Sequence, residues 1–443
     1  MPWARVRELL RLAFPVILSR SGMFLMGLVN TALLGRYATE QLAYLSIAQA
    51  VTIPLFIGQS GFILGALVLT ARAAGAGELA QCGKVWRRGT VYSIGISLIG
   101  VVIALVCGEL ALRALGESQV LTQEGGRVLR INALSLPFMG IYMTGAYFLE
   151  GLKRPVPPMI IMAFANVVNL VLNWAFIYGA FGLPALGAEG SAWATTLMRG
   201  LLALVIVIYI WMLPDHAALG VRKRAGGSWR DWAPQRRVGY SAGASQAVES
   251  TAFSLLTLLA GLLGTVPLAA YSISFQVLGT CFMVAMGFGS ATAVLVGHAW
   301  GRKDSAEVAR AGWLGLRVDW IVVCTLAALL ALFRTDIARL FAADPSLIVA
   351  AAPLLGWVAF VIVPDHTQAV MAHALRARGD NWVPVATHFI SYFLILAPLS
   401  WYLALHTANG TEGIVQATLI ASLASASFLM ARFRYLSRRP LIS

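Results

Sequence analysis

Charge is scarce in this chain, and acid is scarcer than base. Only 12% of its 443 residues are charged, with 19 Asp and Glu against 33 Lys and Arg. A soluble domain carries about 25% charge, so a soluble globular protein is excluded. Cysteine is sparse too. Cys82, Cys107, Cys281 and Cys324 stand far apart with no CxxC pair, which supports neither a disulfide framework nor a zinc site. No HExxH, GxSxG or phosphate-binding loop occurs, and every polar stretch is too short to hide a catalytic domain. An enzyme is therefore not expected. The first apolar run, Leu12 to Leu34, is too long for a signal-peptide core and reads as a retained first span.

What the chain has instead is apolar length. Hydrophobic residues make up 59% of it, and its mean hydropathy is +0.78. Charges and Gly/Pro breaks divide it into twelve apolar stretches: 13–35, 47–70, 88–108, 128–149, 157–179, 190–213, 238–263, 272–296, 311–333, 347–373, 383–405 and 411–431. The hydrocarbon core of a bilayer needs ~20 apolar residues of helix, so each is a candidate span. The expected fold is an all-α polytopic membrane protein of twelve transmembrane helices. A polar stretch, 214–237, carries Arg222, Lys223, Arg224, Arg230, Arg236 and Arg237 and separates two six-helix lobes, 1–213 and 238–443.

The net charge of +14 sits in short clusters between spans, a topology signal rather than a nucleic-acid footprint. With both termini inside, 24 Lys and Arg fall in inner segments and 6 in outer loops. Both termini are thus expected to be cytoplasmic in a multi-pass plasma-membrane protein, an inner-membrane protein if the cell has two membranes.

The two lobes are copies. At an offset of 226, residues 31–77 match residues 257–303 at 16 of 47 positions without a gap, including Gly35/Gly261, Leu42-Ala43/Leu268-Ala269 and Gly61-Phe62/Gly287-Phe288. An even number of spans per copy leaves both in the same orientation. The pseudo-two-fold axis is then expected along the membrane normal, with a site between the halves near the midplane.

Two carboxylates lie inside spans. Glu249 interrupts YSAGASQAVESTAFSLLTLLAGLLG and Asp365 interrupts FVIVPDHTQAVMAHAL. A charge at bilayer depth costs ~2.5–3.5 kcal/mol on insertion scales and usually marks an ion or substrate pathway. Glu249 lies twelve residues beyond Arg237, and Asp365 eleven before Arg376. If both arginines mark one membrane face, the acids share a depth of ~17 Å at ~1.5 Å per residue. Pro364 frees a carbonyl in the turn before Asp365, and Gln368 adds an amide oxygen on the same face. Two carboxylates with such oxygens suit a hard cation, and two sharing a proton suit H⁺. As metal ligands for Na⁺, or as proton acceptors, Glu249 and Asp365 are the expected coupling pair, and no other cofactor is expected.

MGLVNTALLGRYATEQLAYLSIA, LEGLKRPVPPM, NVVNLVLNWAFIYGAFGLPALGAEGSAWAT, LAAYSISFQ and PDHTQAVMAHALRARGDNWVP occur in that order along nearly the whole chain. Together they resemble the multidrug and toxic compound extrusion (MATE) family, its NorM-type branch most of all. The resemblance implies export of amphipathic, mostly cationic compounds in exchange for Na⁺ or H⁺ across the lipid bilayer; separately, a monomer is expected. The resemblance also implies that acids of the seventh and tenth spans, here Glu249 and Asp365, hold the coupling cation. The family's first-span Asp is Asn30 here, and Arg20 stands where such members often have Gln; the repeat partner of Arg20 is Gln246. The fifth span offers only Asn169 and Asn173, at i,i+4 on one face. Coupling through the C-terminal lobe is therefore expected, with Arg20 a candidate cavity base. Tyr142, Trp357 and Tyr392 are candidate aromatic linings for flat cations. His366 and His388 are weighed as relays and read more simply as polar contacts. Arg199, Arg317 and Asp319 are read as structural. Arg20 and Asn30 keep one alternative open, a lipid-linked oligosaccharide or lipid flippase of the same superfamily.

Overall fold

The apolar stretches are helices in the computed structural model, which describes residues 3–114, 119–223, 226–342 and 344–441. Arg224 of the basic linker lies outside them. In order, the helices are α1 Trp3–Tyr37, α2 Thr39–Gly75, α3 Leu79–Ala114, α4 in two pieces (Gln119–Ala133 and Leu136–Gly151), α5 Val156–Tyr178 and α6 Gly187–Trp211. The second set is α7 Ala233–Leu262, α8 Thr265–Gly301, α9 Ser305–Leu332, α10 Pro345–Arg378, α11 Trp382–Leu405 and α12 Gly410–Ser437. Among the described residues, these twelve follow the expected order, and no strand forms.

Ten of the twelve are long and apolar enough to cross a membrane on length and composition alone. The other two have physical reasons to fall short. α4 is broken at Leu134-Ser135, so neither piece spans by itself. α7 is diluted by Ser241, Ser245, Gln246, Glu249, Ser250 and Thr251 in one run. A helix polar enough to look unlike a span must be shielded by its neighbours, since unsatisfied polar groups are expensive in hydrocarbon.

Helix ends are set locally. Asp304 caps α9 by accepting from the Glu307 amide at 2.8 Å, and Asp344 caps α10 by accepting from the Ser346 amide at 2.9 Å. Close packing is set by small residues, because lipid offers no hydrophobic drive between helices. A methyl on Gly65 would lie 2.1 Å from the Gln235 carbonyl oxygen, and one on Gly239 would lie 2.0 Å from that of Phe62. Only glycine lets α2, broken at Ile63-Leu64, touch the start of α7 backbone to backbone.

Packing divides the chain into two compact units, Leu18–Gly243 and Met1–Ile17 with Ala244–Ser443. The breaks at Ile17 and Gly243 are repeat-equivalent, so each copy gives the start of its first helix to the other copy's unit. The Leu18–Gly243 unit is centred on Leu34, Tyr44, Leu45, Val128, Leu129 and Ile177. The other is built around α10, whose Leu354, Leu355, Val358 and Ile362 pack on Ala270, Ile273 and Val277 of α8. Every residue from Pro364 to Arg378 is buried. α10 thus carries Asp365, His366, Gln368, His373 and Arg376 into the interior of its unit.

Candidate functional site

Glu249 and Asp365 are joined by a short hydrogen-bonded bridge. The Gln368 amide nitrogen donates to Asp365 Oδ1 at 2.8 Å and to Tyr392 Oη at 2.7 Å. The Tyr392 hydroxyl in turn donates to Glu249 Oε1 at 3.5 Å. The donors all point one way, from the Gln368 amide out to both acids, so each carboxylate is addressed as an acceptor. Asp365, Gln368 and Tyr392 are buried, while Glu249 is partly buried. Helix chemistry explains the placement. Asp365 and Gln368 share a face of α10 at i,i+3, and Tyr392 sits in a π-helical turn of α11, Ile390–Leu396. Such wide turns re-aim side chains and recur at functional sites.

Sequence placed Gln368 beside Asp365 for its oxygen, but it is the nitrogen that faces the acid. Gln368 Oε1 is buried with no hydrogen-bond partner among the described residues. Arg376 is no surface residue either. It is 4% exposed and its guanidinium donates to Ser245 Oγ, on α7, at 2.7 Å. The Tyr392–Gln368 bridge is what links the two acids. Gln246 is partly buried on the same helix.

The Leu18–Gly243 unit holds a different constellation. Arg20 is no open cavity base: Nη2 lies 3.1 Å from Glu150 Oε1 and 3.4 Å from Oε2, with side chains only 4% and 2% exposed. Its Nη1 reaches Met143 Sδ, and the guanidinium stacks 4.8 Å over the Tyr147 ring. Beside it Tyr142 is fully buried and donates to the Pro158 carbonyl at 3.1 Å. Its single proton is thereby used, so Ser19 is the donor in the 3.3 Å contact with Tyr142 Oη.

Asn30, Asn169 and Asn173 do converge. Ser191 Oγ donates to Asn173 Oδ1 (2.7 Å), Asn173 to Asn169 Oδ1 (3.1 Å), Asn169 to Asn30 Oδ1 (2.9 Å) and Asn30 to Thr195 Oγ1 (2.8 Å). Every member is neutral and buried, a satisfied network with no ionisable group in it. Trp357 is partly buried and donates to Glu412 Oε2 at 3.1 Å.

The MatE family model matches residues 15–175 and 242–402, once per copy. A probable multidrug resistance protein NorM of Caulobacter vibrioides is 38% identical over 98% of this chain and 92% of its own length. This chain belongs to the MATE family. Multidrug resistance protein PmpM of Pseudomonas aeruginosa is 27% identical, covering 98% of this chain and 92% of its own. Among solved structures, the eukaryotic MATE transporter AtDTX14 superposes with a TM-score of 0.89 at 17% identity, over 98% of each chain. An outward-facing MATE family multidrug resistance transporter superposes with a TM-score of 0.87 at 18% identity, over 98% of this chain and 97% of that one. The twelve-helix duplicated architecture is thus that of MATE transporters.

Two acids in this MATE protein have buried partners that sequence alone did not pair with them. Glu150 sits at the end of a span, where it passes for a loop residue; its pairing with Arg20 needs α1 and α4 to meet. Asp319 is fully buried, and His366 Nδ1 lies 3.1 Å from its Oδ1 while His366 Nε2 faces the Cys281 carbonyl at 3.1 Å. His366 is therefore held between α8 and α9 and takes no part in the Glu249–Asp365 bridge. His388 stands edge-on to Tyr392, ring centroids 5.9 Å apart, and its nitrogens bond to nothing among the described residues. Arg199 donates to Ser135 Oγ at 2.6 Å, a packing role.

Proposed function

We propose that this chain is a secondary active multidrug efflux antiporter of the inner membrane, exporting amphipathic, mostly cationic compounds in exchange for Na⁺ or H⁺ by alternating access. The observation that carries this reading is the bridge from Glu249 through Tyr392 and Gln368 to Asp365. Two carboxylates so close in an apolar setting resist being charged together. A proton, a metal cation or a basic drug relieves that cost, and each does so at the expense of the others. That competition is the chemistry of exchange. The donors suit either ion: two carboxylates, the Tyr392 hydroxyl and the orphaned Gln368 Oε1 are the oxygens a hard cation takes. The relatives' description as multidrug resistance proteins supports drug-like cargo.

In this reading the lobes 1–213 and 238–443, joined by the linker 214–237, carry out the exchange, and both termini are cytoplasmic. The pairing of Arg20 with Glu150 removes the free base that spoke for a lipid-linked substrate. The test is ethidium transport in proteoliposomes under separately imposed Na⁺ and pH gradients. One gradient should drive uptake in the wild type, and Glu249→Gln and Asp365→Asn should each abolish it. Transport that persists in both variants would refute the assignment.

A further inference from the structure

The two copies carry their buried charges in opposite senses. At the 226-residue offset Arg20 falls on Gln246 and Glu150 falls on Arg376. In the first copy the base is on α1 and the acid on α4, and they close into an ion pair at 3.1 Å. In the second copy the base is on α10, and the acid of α7 is displaced one turn, from the Gln246 position to Glu249. Arg376 is instead hydrogen-bonded to Ser245 at 2.7 Å. Ser245 and Glu249 stand at i,i+4, so their Cβ atoms are about 6 Å apart on one helix face. The guanidinium is thus held one turn from the carboxylate, and each side chain lies in the other's electrostatic field.

A long, permanently charged side chain so placed donates to the neutral Ser245, with the anionic Glu249 one turn further along the same face of α7. With a cation on the carboxylates, like-charge repulsion keeps the guanidinium on Ser245. With the cation gone, the Glu249 carboxylate is left facing Asp365, and Arg376 of α10 is the built-in cation in its field.

We propose that Arg376 is a tethered counter-cation that competes with the transported cation for Glu249 and neutralises the site when it is empty. The inference rests on the reading of Glu249 as a coupling acid. Arg376 would set the apparent affinity for the coupling ion and suppress its leak without substrate. The closed Arg20–Glu150 pair is the same device locked permanently, in the copy that has no coupling acids.

The experiment measures the half-saturating concentration of the coupling ion for ethidium transport in proteoliposomes, and ion leak without ethidium. Arg376→Gln should lower the half-saturating concentration at least fivefold and raise the leak. Arg376→Lys, which keeps the charge, should stay within about threefold of wild type. Ser245→Ala removes the acceptor that competes with Glu249 for the guanidinium and should act oppositely, raising the half-saturating concentration about threefold. That variant also covers the case in which Arg376→Gln fails to fold. A purely structural Arg376 would lower melting temperature and transport rate with ion affinity unchanged or weakened. That result, beside a gradient-driven wild type, overturns the inference alone. A wild type that answers to neither gradient overturns the coupling reading and the inference together.

Discussion

Asp319 Oδ1 and His366 Nδ1 lie 3.1 Å apart with neither side chain exposed, one residue along α10 from Asp365. The Cys281 carbonyl only accepts, so His366 Nε2 must carry a proton, and the dyad shares a further proton between Nδ1 and Oδ1. Removing one partner of a buried pair strands the other and costs about 3–5 kcal/mol. Asp319→Ala should therefore lower the unfolding temperature of the detergent-solubilised protein sharply. Asp319→Asn retains an acceptor oxygen and should cost less than half as much. Equal melting of both variants with wild type would contradict the pairing.

The Arg20–Glu150 pair makes a sharper double-mutant test. Arg20→Met and Glu150→Leu should each destabilise by about 3 kcal/mol or more, because each leaves an uncompensated buried charge. Combined, they should recover most of that loss, since apolar replacement of a whole buried pair is often neutral. Melting curves of the four proteins give the coupling energy, and additive losses would show the pair to be energetically idle.

Tyr392→Phe keeps the ring and deletes the hydroxyl between Glu249 and Gln368. A net hydrogen bond contributes roughly 1 kcal/mol, about a factor of five. Apparent affinity for the coupling ion should shift by at least that factor, with little change in melting temperature. An unaltered ion dependence would mean the bridge is incidental.

Outside the bilayer, Arg154 and Asp215 form a two-pronged contact at 2.9 and 2.7 Å. The Arg154 hydrogen bonds hold the Asp215 carboxyl below its ordinary range. A depressed carboxylate contributes stability that is present above its unfolded value, about 4, and lost as pH falls through the folded one. Because both side chains are about a third or more exposed, solvent screening keeps the effect below about 1 kcal/mol. Asp215→Asn should melt slightly below wild type at pH 7, and the difference should close as pH falls below about 4. A gap that widens in acid would contradict the sign.

Composition and periodicity carried the architecture, because a span announces itself by length and hydropathy and a duplication by its offset. Glu249 and Asp365 were legible because a carboxylate inside an apolar run is costly and is rarely kept there without a role. Their connection was not: Tyr392 lies 143 residues from Glu249, and only a wide turn in α11 aims it there. The partners of Arg20 and Arg376 were hidden for one shared reason. A sequence shows that a base is near a membrane level, but not whether a partner on another helix, Glu150 or Ser245, takes it inside. The asparagine network was half visible, since the i,i+4 spacing gave Asn169 and Asn173 a face but not their link to Asn30.

Competition between ion and substrate for Glu249 and Asp365 has a direct signature. It is ion release from purified protein in detergent on adding ethidium, followed by a pH indicator for H⁺ and by bound ²²Na⁺ for Na⁺. Wild type should release one of the two ions as ethidium binds, and Glu249→Gln/Asp365→Asn should release neither. Ethidium binding that frees no ion from wild type, or equal release from the double variant, would contradict competition at these acids.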